Sequence, residues 1–262
     1  MDVKKVSIVY FSATDVTKKY VKAMAEAISS DIVEYNITLP ENRVAEKAPK
    51  FTKDDFVIVG APVYSGLIPG FCMDYFKAMK GDDTPCVVVA SYGNRHYDDA
   101  VVELEDSMTE LGFRVVGGAA VVGRHSFSDN IAGTRPDAED LEGAAEFMKL
   151  VVEKEGKALK LGVIPGHRPY VAKGYSPSPM MPSTTDACIY CGICADNCPN
   201  GVISKEDPTV MVKPATECFM CNSCVVKCPV GAKVFDYDQY RRMVDRCENG
   251  FAKPDRPNEY FM

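Results

Sequence analysis

Eight of the eleven cysteines are concentrated in two short runs, at residues 188–198 and 218–228. Both runs have the spacing C-x2-C-x2-C-x3-C followed by proline, and their first cysteines are 30 positions apart (218 minus 188). This indicates an internal duplication. Three thiolates on one tight turn can bind three corners of an iron–sulfur cube, and a cysteine of the other run can reach the fourth corner.

The spacing therefore predicts two [4Fe-4S] clusters with crossed ligation. For the first cluster we expect the ligands Cys188, Cys191, Cys194 and Cys228. For the second cluster we expect Cys218, Cys221, Cys224 and Cys198. The alternative is a pair of zinc sites, because zinc also accepts four thiolates. From Thr185 to Tyr237 the sequence resembles bacterial two-cluster ferredoxins, which implies a one-electron carrier.

Composition narrows the remaining classes of function. The 262 residues carry 30 Lys and Arg against 37 Asp and Glu, a net charge of −7 that disfavours a nucleic-acid binder. No apolar run approaches the ~20 residues of a membrane span. The first eleven residues lack a secretory signal pattern. Together with clustered thiols, which favour a reducing compartment, this predicts a cytoplasmic protein.

The first 156 residues alternate between apolar runs and helical patterns. Continuous apolar strands that alternate with helices are typical of a parallel sheet covered on both faces. The predicted strands cover residues 6–11, 31–37, 56–60, 86–90 and 113–122. The predicted helices cover residues 16–28, 70–79, 98–111 and 137–154.

Three loops follow predicted strands, where an open parallel sheet has its ligand crevice. The loop at 12–17 brings hydroxyls and backbone N–H groups to a helix N-terminus, which suits a phosphate. An ordinary helix cap by Ser12 or Thr14 is the alternative. The loops at 61–66 and 91–97 place tyrosine and glycine at strand ends, where an aromatic ring can stack on a flat ligand.

Taken together, the three loops resemble flavodoxin, and residues 3–155 resemble that fold. The resemblance implies FMN, with the phosphate in the first loop and the ring system between the other two. It implies these cofactor-binding residues: Ser12, Ala13, Thr14, Asp15, Val16, Thr17, Pro62, Val63, Tyr64, Gly66, Ser91, Tyr92, Gly93, Asn94, Arg95 and Tyr97. Asp15 stands where glycine is usual. We expect its carboxylate to weaken phosphate binding, and Asp15→Gly to strengthen it, unless the side chain points outward.

The fold class predicted for the chain is α/β, a flavodoxin-like five-stranded parallel sheet followed by a small α+β two-[4Fe-4S] ferredoxin domain. The predicted division is 1–156 for the FMN domain, 157–183 for a Pro/Gly-rich linker, 184–237 for the ferredoxin domain and 238–262 for a tail with one short helix. Five prolines between residues 165 and 182 favour a stiff, extended linker. Because such a linker does not force the two domains together, a homodimer that exchanges electrons between subunits is predicted over contact within one chain.

As a whole, the chain resembles the EFR1-type flavodoxin–ferredoxin fusions of anaerobic bacteria and archaea, through the runs at 92–95 and 125–128. This resemblance implies an electron-transfer flavo-iron–sulfur protein whose donor and acceptor are other redox proteins. One alternative is a flavin-dependent reductase of a small molecule, disfavoured because no proton donor near the crevice is obvious. Another alternative is a ferredoxin whose flavin site has decayed. The presence of Asp15 in place of the usual glycine favours this alternative.

Overall fold

The computed structural model describes residues 3–154, 157–176 and 179–262. The strands are β1 (Lys5–Tyr10), β2 (Asp31–Asn36), β3 (Phe56–Pro62), β4 (Thr84–Tyr92), β5 (Phe113–Val122), β6 (Ser183–Thr184), β7 (Lys233–Val234) and β8 (Glu259–Phe261). The α-helices are α1 (Val16–Glu26), α2 (Gly70–Phe76), α3 (Ala100–Glu110), α4 (Ala138–Glu153), α5 (Ile193–Asp196), α6 (Ser223–Val226) and α7 (Asp238–Phe251). Short 3-10 turns cover Ala45–Lys47 and Ala215–Glu217. No helix in the described ranges is long and apolar enough to cross a membrane.

The large sheet has the strand order β2-β1-β3-β4-β5-β8. Its first five strands are parallel, and the order 2-1-3-4-5 is that of the flavodoxin-like doubly wound fold. The predicted fold is therefore confirmed. The sheet also has a sixth strand, β8, which lies antiparallel to β5 over Gly118–Ala120. The prediction of five strands did not include β8, because three residues are too few for a recognisable alternation.

Alternate residues of the central strands face opposite sides of the sheet, as the pleat requires. Val9, Val59 and Val88 belong to the core layer under α2 and α3, whereas Ile8 and Ile58 belong to the layer under α1 and α4. Both layers are apolar, so the strands read as continuous hydrophobic runs. Covering both faces leaves the carboxyl edge of the sheet, with its three loops, as the accessible place for a ligand.

The segment after α4 does not run as an extended tether. Ile164 is buried, and a methyl group added to Gly118 of β5 would lie 2.6 Å from its side chain. Further on, the Asp99 carboxylate accepts hydrogen bonds from the backbone N–H groups of His167 (2.9 Å) and Val171 (2.8 Å). Burial alone would raise the pKa of Asp99, but the hydrogen bonds lower it to about 2. The linker is thus fastened along the first domain; residue 156, the predicted boundary, and Pro177 lie outside the described residues.

The C-terminal tail returns to the first domain. Asn258, just before β8, accepts a hydrogen bond from the backbone N–H of Val122 (2.7 Å) and donates one to Asp140 of α4 (2.9 Å). The hydroxyl of Tyr97 donates to the carboxylate of Glu259 (2.9 Å). These bonds attach the tail at the same end of the sheet as the three loops.

The cysteine-rich segment forms a small unit of its own. The helices α5 and α6 are one turn each, and β6 pairs antiparallel with β7. Its two small hydrophobic clusters include four cysteines among their buried members: Cys194, Cys198, Cys218 and Cys224. So little apolar content is marginal for a stable core without a metal or another cross-link.

Candidate functional site

Two small cavities in the cysteine-rich segment are each lined by four cysteines. The first is lined by Cys188, Cys191, Cys194 and Cys228. The second is lined by Cys198, Cys218, Cys221 and Cys224. Each cavity thus takes three cysteines from one run and the last cysteine of the other run, the crossed grouping that the spacing predicts.

The surfaces of both cavities are mainly apolar. In the described part of the chain, no three His, Cys, Asp or Glu side chains converge at the spacing of a single-ion site. Four thiols around a mainly apolar space are a donor set that fits an iron–sulfur cluster.

Both cysteine runs make the same tight turn. Tyr190 and Met220, each two residues after the first cysteine of its run, have φ angles of 55° and 48°. Gly192 and Asn222, two residues further on, have φ angles of 76° and 57°. Glycine and asparagine are the residues that adopt this left-handed conformation most readily. The duplication therefore extends from the sequence to the backbone.

Backbone N–H groups point at the sulfur atoms in both halves. The N–H of Val202 donates to Cys198 Sγ (3.3 Å), and the N–H of Ala232 donates to Cys228 Sγ (3.1 Å). Burial opposes the effect at Cys228, but the backbone donors lower the pKa of its thiol below the usual value. Such donors stabilise negative charge on sulfur, which is the state a thiolate ligand must adopt.

A much larger pocket lies at the carboxyl edge of the sheet, with a volume of about 2520 Å3 including space open to solvent. Fourteen of the sixteen residues predicted to bind FMN line it: Ser12, Ala13, Thr14, Val16, Thr17, Pro62, Val63, Tyr64, Gly66, Ser91, Tyr92, Gly93, Arg95 and Tyr97. The structure thus brings the three loops together around one space.

Asp15 and Asn94 are the two predicted residues outside this lining. Asp15 has a φ of 64°, the left-handed conformation that glycine adopts without penalty. Its carboxylate turns away from the pocket to an ion pair with Lys227 of the second cysteine run (3.0 Å). The like charge expected beside a phosphate is therefore directed elsewhere, and the expectation that Asp15→Gly strengthens binding loses its basis.

Asn94 is buried and serves the tail instead of the pocket. Its side-chain amide donates to the carbonyl of Phe251 (2.6 Å), and its side-chain oxygen accepts from the N–H of Arg256 (2.8 Å). The amide thus satisfies backbone groups of a segment more than 150 residues away in sequence. Its position in a strand-end loop could not reveal this partner.

The tyrosines of the loops differ in what they offer a ligand. Tyr92 and Tyr97 are only 4% and 3% exposed, and they meet edge to face with ring centroids 5.7 Å apart. Tyr64 is half-buried and meets Tyr175 of the linker edge to face at 5.8 Å. Burial raises the pKa of Tyr64 well above its usual value, and the nearby Cys221 thiol adds to the rise.

Sequence reasoning missed Asp98 and Asp99, which directly follow the third loop, and four more distant stretches of the pocket wall. The distant stretches are residues 124–127 after β5, parts of the linker between 165 and 180, residues 219–221 of the second cysteine run, and Gln239 with Met243 of α7. Only the run at 125–128 had been singled out in the sequence. The other stretches reach the pocket through tertiary packing that no local pattern encodes.

The second cysteine run and the loops share one wall. Cys221 lines both its cysteine cavity and the large pocket. Beside it, Phe219 stacks on Phe71 of α2, with ring centroids 3.9 Å apart and planes 2° from parallel. The Arg43 guanidinium lies 5.1 Å from the Phe71 ring centroid and donates to the carbonyl of Pro199 (2.9 Å). The cysteine-rich segment is thus docked beside the pocket of its own chain.

Comparison with known proteins gives one family match and several similar structures. Residues 187–232 match the family model described as a 4Fe-4S dicluster domain. The structure is similar to flavodoxin 2 from Bacillus cereus (18% identity, 57% of this chain and 99% of that chain, TM-score 0.41). It is also similar to a Fusobacterium nucleatum flavodoxin bound to flavin mononucleotide (14%, 59% and 100%, TM-score 0.40) and to an archaeal flavodoxin (14%, 57% and 97%, TM-score 0.39).

We predict that Arg43→Ala loosens the docking of the cysteine-rich segment. The guanidinium also donates to the carbonyls of Ile37 (3.1 Å) and Thr38 (3.0 Å), so the variant loses three hydrogen bonds and the ring contact. Each hydrogen bond contributes about 1 kcal/mol, and water replaces part of this in the variant. We therefore expect the free energy that holds the segment in its docked position to fall by about 2 kcal/mol. Hydrogen exchange followed by mass spectrometry should then speed up more than tenfold near residues 37–43 and 197–202.

The matched control is Lys50→Ala, which removes an exposed cation from the same stretch of chain. It should leave exchange at both places unchanged. Equal exchange in the Arg43→Ala variant and the wild type would contradict the docking role of Arg43.

Proposed function

We propose that this chain is an electron-transfer flavo-iron–sulfur protein that holds FMN and two [4Fe-4S] clusters. The observation that carries the proposal is the position of Cys221, which lines both the second cysteine cavity and the pocket of the three loops. FMN exchanges one or two electrons and each cluster exchanges one, so a protein that holds both can join two-electron to one-electron partners. Those partners would be other redox proteins, as in the EFR1-type fusions that the sequence resembles.

The fourteen pocket-lining residues of the three loops are the proposed FMN site. The N-terminus of α1 offers backbone N–H groups to a phosphate, and Ser12 and Thr14 add hydroxyls. The Ser12 hydroxyl already accepts a hydrogen bond from the N–H of Lys18 (3.1 Å), which fixes its position in the loop. Gly66, with a φ of 91°, lets the second loop turn sharply at the pocket wall. Asp15 and Asn94 would shape the loops without touching the cofactor.

The eight motif cysteines are the proposed cluster ligands, in the two groups that line the two cavities. The second cluster would then lie on the side of the flavin pocket. The first would lie on the far side, where Cys191 is exposed beside Ile189 (59% exposed) and Tyr190 (64%). An exposed apolar rim of this kind suits transient contact with a redox partner.

The proposed domain division keeps residues 1–156 as the flavin domain and 184–237 as the ferredoxin domain. Residues 164–176 of the linker and the tail 238–262 pack on the proposed flavin domain, and both add to its pocket wall. Contact between the proposed sites within one chain removes the reason for which a homodimer was preferred. The homodimer itself stays a prediction.

A flavin-dependent reductase is the second candidate, because His96, His125 and His167 line the pocket. Burial lowers the pKa of His125 to about 4, so its ring is neutral at pH 7 and can donate a hydrogen bond to a substrate. Saturable oxidation of the reduced protein by a quinone or nitroaromatic compound, weakened by His125→Gln, would favour this candidate. Oxidation by protein partners alone would favour the electron carrier.

Anaerobically purified protein should contain about eight iron and eight labile sulfide per chain, together with one FMN. Iron and sulfide assays, chromatography of the released flavin and an absorption spectrum measure this content. Zinc without labile sulfide would contradict the clusters. If the protein has its full cluster content but takes up no added FMN, only the proposal that it binds FMN is contradicted.

Crossed ligation makes opposite predictions for two equivalent cysteines. Cys198→Ser should damage the second cluster, and Cys228→Ser should damage the first, because each supplies the fourth ligand to the other run's cavity. EPR spectra of the reduced variants resolve the two signals, and the pair of variants provides its own control. Loss of the cluster held by the variant's own run would reverse the assignment.

A further inference from the structure

The duplication places a lysine and an isoleucine at equivalent positions. Ile203 lies five residues after Cys198, and Lys233 lies five residues after Cys228. Ile203 lines the second cysteine cavity, and Lys233 lines the first. The two cavities therefore differ by a full charge at matching points of their walls.

The Lys233 side chain is buried, at 2% exposure. Its ammonium donates to the hydroxyl of Thr184 (2.7 Å) and to the carbonyl of Pro208 (2.5 Å). Both acceptors are neutral, so these bonds solvate the charge without cancelling it. A buried charge costs several kcal/mol unless an opposite charge compensates it. A cluster carried by four thiolates in the adjoining cavity would be such an anion.

The position of Lys233 ties it to the first cavity. Lys233 lines that cavity together with Cys194 and Cys228, whereas Ile203 stands at the equivalent point of the second cavity. The carboxylate of Asp207 is near enough to attract the ammonium, but it is held by the hydroxyl and N–H of Thr209. The cation therefore acts first on the contents of the first cavity.

We propose that Lys233 raises the reduction potential of the first cluster above that of the second, so that the first cluster is reduced before the second. This inference rests on the proposed function. One electron from a reductant such as dithionite adds one negative charge to one cluster, and no bond is made or broken. A fixed buried cation stabilises the more negative, reduced state more than the oxidised state.

The test is an EPR-monitored redox titration of the full-length protein. In Lys233→Ile, which copies the residue of the second cavity, the equilibrium constant for reducing the first cluster should fall at least tenfold, or ~59 mV for one electron. The constant for the second cluster should change less than threefold. Lys233→Gln, a neutral variant that keeps a donor, should behave in the same way, whereas Lys233→Arg should keep the wild-type potential.

Lys205→Ile is the matched control, because Lys205 lies on the surface of the same domain with a side chain 67% exposed. It should shift neither cluster beyond threefold. The Cys198→Ser and Cys228→Ser variants assign the two EPR signals. Equal shifts in the potentials of both clusters, or no shift in either neutral variant, would overturn the inference. If both clusters are intact in that experiment, the proposed function still stands. Wild-type protein without clusters would overturn both.

Discussion

The stacking of Phe219 on Phe71, covered by the guanidinium of Arg43, fixes where the cysteine-rich segment lies. The stacked rings join a residue between two cysteines of the second run to the helix that follows β3. Arg43 ties the same region to the carbonyls that follow β2. Because of this contact, Cys221 reaches the wall of the large pocket. The proximity of the pocket to the second cysteine cavity therefore depends on it.

The pocket is closed by irregular segments that three polar side chains hold in place. Asp99 accepts hydrogen bonds from backbone N–H groups of the linker. Asn94 binds backbone groups of the tail, and Asn258 of the tail accepts a hydrogen bond from the backbone N–H of Val122 in β5. Each of these side chains replaces water for groups that would otherwise be costly to bury. A loop held in this way can line a binding site without belonging to a helix or strand. The pocket wall thus consists about equally of the three loops and of segments that are distant from them in sequence.

Much of this arrangement could be predicted from the sequence. The five parallel strands can be predicted from their apolar runs. The grouping of the cysteines can be predicted from the repeat, because one tight turn supplies three ligands and the other run supplies the fourth. Fourteen loop residues meet at one pocket because parallel strands end at a common edge. What the sequence did not predict depends on tertiary partners: the direction of the Asp15 carboxylate depends on Lys227, and the role of Asn94 depends on Phe251. The three-residue strand β8 and the fastened linker have no local signal at all.

The proposed FMN pocket and the second cysteine cavity are adjacent in one chain, so the proposed function requires that they exchange electrons within that chain. The most direct measurement is the rate of electron exchange between flavin and clusters after rapid photoreduction, recorded over a hundredfold range of protein concentration. The same measurement is then made on a mixture of two proteins. One is the chain depleted of flavin, and the other is the Cys191→Ser, Cys221→Ser variant, which lacks one proposed ligand of each cluster. The account predicts a rate independent of concentration and no exchange in the mixture. A rate proportional to concentration, or exchange restored by mixing, would contradict it.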